Sequence, residues 1–171
     1  VIVSDPQFEE QLQPFIEWKT RKGFTVVEAY TEDIGTTKPE IKTYIQDLSD
    51  ARTSEDPAPS FVLFVGDVAQ IPAKEIGNGQ TDRLYFEYTG DLFPEIFYGR
   101  FSAQNAAQLQ PYIDKALQYE QYTMPDPSYL EEVVMIAGMD SGFGASHGNG
   151  QINYGTINYF NVAHDILSHT Y

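Results

Sequence analysis

Apolar and polar residues alternate along the chain on two length scales, which predict strands and helices in turn. Short apolar runs occupy residues 1–4 (VIVS), 24–30 (FTVVEAY), 61–65 (FVLFV) and 133–137 (VVMIA). The run at 61–65 has no polar position, a pattern typical of a strand that is covered on both faces. Longer segments with apolar residues at helical spacing separate these runs. The order predicts an α/β fold with a parallel, helix-covered sheet.

The first predicted helix is marked at both ends. Asp5 is suited to cap a helix, and Pro6 fits the first helical position, where its missing N–H is not needed. Apolar residues at helical spacing run on to Gly23, which predicts the end of the helix there. Pro14 lies inside this segment and predicts a kink.

Three more helices are predicted further along the chain. Thr37 and Glu40 have the spacing of a capping box at the start of the second helix. A third helix is predicted at residues 102–121, kinked or broken at Pro111, and a last one at residues 152–167.

Residues 68–101 differ from the rest, because loop-forming residues dominate them. Short strands are predicted at residues 85–88 and 96–98, on either side of TGDLFPE (89–95). We therefore interpret this segment as a loop-rich connection within the α/β fold.

Length and charge narrow the class of protein. A chain of 171 residues, 42% of them apolar, fits a single domain or subdomain with a buried core. The net charge of −15 disfavours nucleic acid and anionic membranes as partners and favours cation binding. No apolar run approaches the roughly 18 residues of a membrane span. Since the chain has no cysteine, it carries neither a disulfide nor a thiol nucleophile.

The two ends of the sequence lead us to expect further segments. A strand at residue 1 is expected to follow a part that has been removed, and a helix just before Tyr171 is expected to lead into another strand. The α/β sheet is therefore expected to be incomplete without a downstream partner segment.

Two of the predicted strands end in a glycine and an aspartate. Residues 61–67 (FVLFVGD) deliver Asp67, and residues 133–140 (VVMIAGMD) deliver Asp140. Ligands of parallel sheets bind beyond the carboxyl ends of the strands, so either carboxylate is a candidate site residue. Helix capping or turn formation also explains an aspartate here. A magnesium-dependent phosphoryl-transfer site is less favoured, because no phosphate-binding lysine follows another strand.

The segment TGDLFPE is rich in oxygen ligands. Asp91 and Glu95 lie within five residues of each other, with the Phe93 carbonyl between them. Calcium takes roughly six to eight oxygens, carboxylate and carbonyl mixed, on a loop that can wrap around it. A solvated acidic turn is the alternative, and the spacing of an EF-hand is missing. The pattern alone leaves both readings open.

The histidines are weak candidates for chemistry. His147, His164 and His169 occur in no HExxH motif, and the serines lack the GxSxG elbow of a nucleophile. We interpret the three histidines as surface or packing residues.

Six motifs spread along the chain point together to one family. They are FIEWKTRKGF (15–24), FVLFVGD (61–67), TD (81–82), GDLFPEIFYGRFSA (90–103), IDKALQYEQYTMPDPSYLEEVVMIAGMD (113–140) and INYG (152–155). In this order they resemble the N-terminal part of the catalytic domain of the gingipain family of cysteine peptidases. The resemblance covers essentially the whole chain and is greater to the lysine-specific branch. The block at 113–140 is its most specific part.

This resemblance implies a caspase-like fold and a catalytic set of cysteine, histidine and an acid. Asp140 matches the acid, which orients the histidine and stabilises its charged form. The family's cysteine and histidine belong to a later segment, which is the expected partner of this chain. The chain alone is therefore predicted to be inactive. For the complete enzyme the resemblance implies protein or peptide substrates, a bacterial origin and a secreted or cell-surface location.

The resemblance also favours calcium at the acidic segment. The family's calcium ligands match Asp67, Asp91, the Phe93 carbonyl and Glu95, and a further family aspartate matches Thr89. Threonine lacks the charge of aspartate, so we expect weaker binding, or ligation by the threonine hydroxyl or carbonyl.

Two positions bear on substrate preference. Gln151 matches an acid with which arginine-specific members pair the substrate guanidinium, and an amide cannot form that charge-assisted pair. Arginine preference by this route is therefore not expected. Phe143 matches a tryptophan that can wall the substrate site in the lysine-specific branch, so it is a candidate substrate contact.

Two functions follow from these observations. The first is the N-terminal chain of a secreted cysteine endopeptidase, completed by a downstream segment with cysteine and histidine. The alternative is a non-catalytic, calcium-stabilised binding module of caspase-like fold. A downstream sequence with histidine and cysteine in strand-end loops would distinguish the first from the second.

Overall fold

The computed structural model describes residues 1–132, apart from Asn78 and Leu92. The strand predicted at 133–137 and the helix predicted at 152–167 lie outside the described residues.

Four parallel strands form the central sheet, in the order β2-β1-β3-β6. Two shorter strands pair antiparallel as a separate hairpin, β4 with β5. The predicted parallel sheet is therefore confirmed. The strands are β1 (Ile2–Ser4), β2 (Glu28–Tyr30), β3 (Phe61–Val65), β4 (Lys74–Ile76), β5 (Gly79–Thr81) and β6 (Phe97–Phe101).

The described residues also contain four α-helices and three short 3-10 turns. The helices are α1 (Glu9–Arg21), α2 (Thr31–Ile34), α3 (Lys38–Asp50) and α4 (Ala106–Gln121). The 3-10 turns are Pro6–Phe8, Arg83–Tyr85 and Ser128–Glu131.

The predicted helix starts are largely confirmed by the caps. The Asp5 carboxylate accepts a hydrogen bond from the Gln7 backbone N–H at 3.0 Å, although the chain forms a 3-10 turn before α1 begins. At α3 the capping box of Thr37 and Glu40 is complete. The prediction that α4 begins at residue 102 was wrong, because Asn105 is its cap.

Two prolines lie inside helices without ending them. α1 continues through Pro14 and α4 continues through Pro111. Of the kink or break predicted at Pro111, the break does not occur. Each proline is the sixth residue of its helix. Both helices are stabilised by the packing of their apolar residues on the sheet.

The sheet has a buried core on each face. On one face Val3, Val62 and Phe64 pack with residues of α3 such as Ile41 and Ile45. On the other face Ile2 and Val65 pack with the apolar sides of α1 and α4. Burying each large apolar side chain contributes roughly 1.5–3 kcal/mol. The apolar run of β3 is continuous because the strand lies between these two layers. The residues from α1 and α4 are Leu12, Phe15, Ile16, Leu109 and Ile113.

The long connection between β3 and β6 differs from its prediction. Residues 85–88 are not a strand: Tyr85 ends a 3-10 turn, and the adjacent Tyr85 and Phe86 are both fully buried. Both rings pack against Phe64, at centroid distances of 5.1 and 5.3 Å. Successive residues of a strand point to opposite faces, so a strand could not direct both rings towards one partner. The hairpin of β4 and β5 was not predicted.

The chain consists of two compact units, Val1–Met124 and Pro125–Tyr171. The first contains all strands and α-helices named above. In the described part of the second, the Asp126 carboxylate accepts a hydrogen bond from the Ser128 backbone N–H at 3.0 Å, just before the 3-10 turn at Ser128–Glu131. Among the described residues, no helix has the length and apolarity required to cross a bilayer.

Candidate site at the carboxyl edge of the sheet

The carboxyl ends of β3 and β6 bring the first candidate aspartate to the edge of the sheet. The two strands pair in register, with Val65 opposite Phe101. The pairing continues beyond both strands, because the Asp67 N–H donates to the Ala103 carbonyl at 3.0 Å. Gly66 makes the turn with φ +139°, and a Cβ there would lie 2.9 Å from the Gln70 Cβ. Glycine is therefore required where the chain leaves β3.

Asp67 is surrounded by hydrogen-bond donors. One carboxylate oxygen accepts from the Ser102 hydroxyl at 3.0 Å and from the Val68 N–H at 2.8 Å. The other accepts from the Gln104 side-chain amide at 2.8 Å. The bond from Gln104 is the largest cause of the lowered pKa of Asp67, followed by those from Val68 and Ser102. The aspartate is held ionised and links the ends of two strands.

An ion pair that the sequence analysis did not identify supports this edge. The Arg100 guanidinium makes a bidentate pair with the Asp82 carboxylate, at 2.7 and 2.8 Å. Its remaining nitrogen donates to the carbonyls of Gly66 at 2.8 Å and Ile71 at 3.0 Å. Arg100 therefore fixes both ends of the turn that contains Asp67. Its sequence signal was present, since both partners lie inside the quoted motifs at 81–82 and 90–103.

The second group of candidate residues lies in the connection before β6. The Glu95 carboxylate accepts from the Thr89 hydroxyl at 2.7 Å and from the Tyr88 N–H at 2.8 Å. The bond from Thr89 is the largest cause of the lowered pKa of Glu95, whereas the negative charge of Asp91 acts in the opposite direction. Phe93 is 74% exposed, and its N–H donates to the Asp91 carboxylate at 2.9 Å. The structure thus brings Thr89 and Glu95 into contact, with Asp91 nearby.

The donor atoms of these residues fit calcium only in part. Carboxylate, hydroxyl and carbonyl oxygens are the ligands that calcium prefers. In the described part of the chain, however, no three acidic or histidine side chains are gathered so as to hold a metal ion. Asp67 directs its oxygens to Ser102 and Gln104 instead. The chemistry of the donors fits calcium but their arrangement is not a finished site, so the calcium site stays a prediction.

The remaining candidate residues lie outside the described residues. They are Asp140, Phe143, Gln151 and the three histidines. Their roles stay predictions from the sequence.

Comparison with known proteins gives a consistent result. The model of Peptidase family C25 matches residues 1–169. Lys-gingipain W83 of Porphyromonas gingivalis is 38% identical over 168 residues, which are 96% of this chain and 10% of that protein. Gingipain R2 of the same species is 27% identical over 160 residues, which are 92% of this chain and 21% of that protein. The chain therefore spans about a tenth to a fifth of the length of these relatives.

Solved structures agree with the sequence matches. A structure described as a protease superposes with a TM-score of 0.75 at 38% identity, over 83% of this chain and 32% of that one. The crystal structure of the Arg-specific cysteine proteinase gingipain R superposes with a TM-score of 0.62 at 27% identity, over 69% of this chain and 27% of that one.

Proposed function

Because this chain belongs to peptidase family C25, we propose that it is the N-terminal part of the catalytic domain of a cysteine endopeptidase. The observation that carries the proposal is the family match over residues 1–169, supported by the superposition on an Arg-specific cysteine proteinase. Sequence identity is higher to Lys-gingipain, 38%, than to gingipain R2, 27%. This agrees with the predicted greater similarity to the lysine-specific branch.

The proposed reaction is hydrolysis of a peptide bond through an acyl-enzyme. A cysteine thiolate attacks the scissile carbonyl, a histidine donates its proton to the leaving amine, and water then releases the acyl group. None of the 171 residues is a cysteine, so the proposed nucleophile would come from another segment. The histidine is proposed to come from that segment too, since none of the three histidines here lies in the family's motif. This chain would contribute Asp140, which holds the histidine in orientation and stabilises its cationic form. By itself it is proposed to be inactive.

Asp140→Asn in the complete protein tests this assignment. We expect kcat/KM for a peptide substrate to fall by about 10³–10⁴-fold, because a neutral amide neither stabilises the imidazolium nor fixes its tautomer. Asp33→Asn is the matched control, since Asp33 is exposed on α2, and it should leave turnover unchanged. Peptidase activity that survives Asp140→Asn at the wild-type level would remove Asp140 from the mechanism.

A substrate contact is proposed at Phe143, whose ring would form a wall beside the side chain that the peptidase recognises. Gln151 lacks the negative charge that would attract a guanidinium, so arginine is not the proposed preference. The complete enzyme is proposed to be bacterial and secreted or surface-located, in keeping with relatives from Porphyromonas gingivalis.

We also propose a structural calcium ion held by oxygens of Asp67, Thr89, Asp91, the Phe93 carbonyl and Glu95. The contact of Thr89 with Glu95 supports this, because it places two of the proposed ligands together. Bound calcium would neutralise part of the acidic charge and tie the connection before β6 to the end of β3.

A non-catalytic, calcium-stabilised binding module is the second candidate. The complete absence of cysteine favours it. A complete protein without cysteine and histidine in the segment after residue 171 would establish this alternative and exclude the peptidase.

A further inference from the structure

Three lysines gather on the side of the sheet covered by α3. They are Lys38 and Lys42 on α3 and Lys74 on β4, and each is half-buried. The chain has six lysines and a net charge of −15, so half of its ammonium groups lie in one place although carboxylates are abundant. Like charges at close range repel, and this arrangement therefore costs free energy in the absence of a counter-ion.

Contacts with residues 84–88 hold two of the ammonium groups in place. Lys42 Nζ donates to the carbonyls of Leu84 at 2.8 Å and Glu87 at 2.9 Å. Lys74 Nζ lies 5.4 Å from the centroid of the Tyr85 ring, which is itself fully buried. The positions of both cations are thus set by the packed connection and do not depend on a flexible loop.

The positive charge of Lys74 is affected by its two neighbours. The pKa of Lys74 is lowered first by burial and then by the positive charges of Lys42 and Lys38. Lys38 and Lys42 lie four residues apart on α3 and therefore share a face of that helix. Lys42 and Lys74 both contact the segment of Leu84 and Tyr85, which places the three side chains in one region.

No carboxylate neutralises the cluster in the described part of the chain. Lys38, Lys42 and Lys74 take part in none of the ion pairs formed there. Glu75 follows Lys74 directly in the sequence but forms no ion pair with it. Two other nearby acids bind elsewhere: Glu40 accepts from Thr37 in the capping box, and Glu87 accepts from the Gly90 N–H. The cluster therefore has ammonium donors available and a favourable potential for an anion.

We propose that Lys38, Lys42 and Lys74 form a binding site for an oxyanion, either a phosphate group or a carboxylate group. Ammonium groups form charge-assisted hydrogen bonds with such an oxyanion, and Lys38 and Lys74 have their donors available for it. The tyrosines below them do not oppose an anion, because burial raises the pKa of Tyr85 and of Tyr88 to about 12 and both phenols remain neutral. The site does not depend on the proposed peptidase function.

NMR of the lysine side chains tests the proposal on the 171-residue chain. Sodium phosphate is titrated in one arm and sodium acetate in another, both at constant ionic strength with sodium chloride. We expect a saturable shift at Lys74 Nζ and no saturation at Lys115 Nζ, which lies exposed on α4. Saturation by phosphate alone assigns a phosphate group as the ligand, and saturation by acetate assigns a carboxylate group.

Charge-neutral variants complete the test. Lys74→Gln and Lys38→Gln should each weaken phosphate or acetate binding by about tenfold, whereas Lys115→Gln should not change it. Neither Lys38 nor Lys74 donates a hydrogen bond to another described residue, so thermal melting of both variants should be close to that of the wild type. If one variant melts early, the other carries the test. A linear response shared by Lys74 and Lys115, or unchanged affinity in a folded Lys74→Gln variant, would overturn the site.

Discussion

At the scale of single residues, Arg100 shows how much one side chain can connect. Its guanidinium joins β6 to Asp82 and to both ends of the turn after β3. The side chains of Arg100 and Asp82 are each only 13% exposed, so this ion pair is largely removed from water. A pair of this kind specifies geometry as well as charge, because only the planar guanidinium can serve all three partners at once.

Arg100→Lys is expected to lower the free energy of unfolding by about 2–3 kcal/mol. Lysine keeps the charge, but it cannot reproduce the bidentate contact and the two carbonyl bonds together, so buried acceptors lose their donors. Urea unfolding followed by circular dichroism measures the change. Arg52→Lys is the control, since Arg52 is exposed and should lose less than about 0.5 kcal/mol. Equal midpoints for the two variants would contradict the role given to Arg100.

At the scale of elements, local capping and contacts between helices stabilise the layers. Thr37 begins α3 with a complete capping box, and α3 supplies Ile41 and Ile45 to the core. On the opposite face α1 and α4 meet at Glu120, which accepts from the Trp18 indole at 2.9 Å and from Lys22 at 3.2 Å, and also from Lys19.

Thr37→Ala should destabilise the chain by about 1 kcal/mol, because the backbone N–H of Glu40 loses its acceptor at the helix start. Thr43→Ala on the same helix is the control. Thr43 is exposed in the helix interior, where alanine has the higher helix propensity, so this variant should be neutral or slightly stabilised. Both are measured by urea unfolding, and a larger loss for Thr43→Ala than for Thr37→Ala would refute the capping argument.

Glu120→Gln is expected to cost about 1–2 kcal/mol at neutral pH, and this cost should shrink in acid. Desolvation raises the pKa of Glu120, but the bonds from Lys19, Trp18 and Lys22 together outweigh it, so the folded pKa lies below the ordinary value of 4.5. Such a carboxylate stabilises the fold above its unfolded pKa, and the contribution is lost as the pH falls through its folded pKa. Glutamine does not titrate.

The measurement for Glu120 is the difference in unfolding free energy between wild type and variant, followed from about pH 7 down to about pH 3. Glu17→Gln is the control, because Glu17 is exposed on α1 and its difference should stay near zero throughout. A cost for Glu120→Gln that stays constant into acid would show that the ionised carboxylate is not what joins α1 to α4.

At the scale of the whole molecule, charge is the dominant feature. The chain carries 25 acidic and 10 basic residues, and such an excess opposes compaction through self-repulsion. The proposed calcium ion and the proposed oxyanion site act on this balance in opposite ways. Calcium would relieve repulsion among acids before β6, and an oxyanion would relieve repulsion among lysines beside α3.

Calcium at about 100 times its dissociation constant should stabilise the chain by about 2.7 kcal/mol, which raises the melting temperature by several degrees. Thermal scans with calcium and with chelator measure this. Glu95→Gln should reduce the rise, whereas Glu10→Gln, exposed on α1, should not. Thr89→Asp restores the carboxylate of the family pattern and should tighten binding. Identical melting with calcium and with chelator would exclude the site in this chain.

The sequence allowed the parallel sheet, the capping box at Thr37 and the position of Asp67 to be predicted, because each depends on a few neighbouring residues. The strand predicted at residues 85–88 was wrong, because the structure of this segment depends on a residue that is far away in the sequence. Tyr85 and Phe86 show a strand-like composition, but both are fully buried against Phe64, more than twenty positions away in the chain. Packing on a distant residue overrode the local preference.

Some features of the candidate site could likewise be predicted from the sequence, and others could not. The sequence by itself determined that Asp67 follows the end of a strand and that acidic residues cluster in TGDLFPE, since strand termini and short-range spacing are local properties. Only the tertiary structure decided that Asp67 engages Ser102 and Gln104 and that Arg100 pairs with Asp82. It also brought Lys42 and Lys74 to the same segment, at Leu84 and Tyr85. These contacts exist because the crossover connections of a parallel sheet bring segments that are far apart in sequence to a common edge or face. A local sequence pattern does not show which of these distant segments come together.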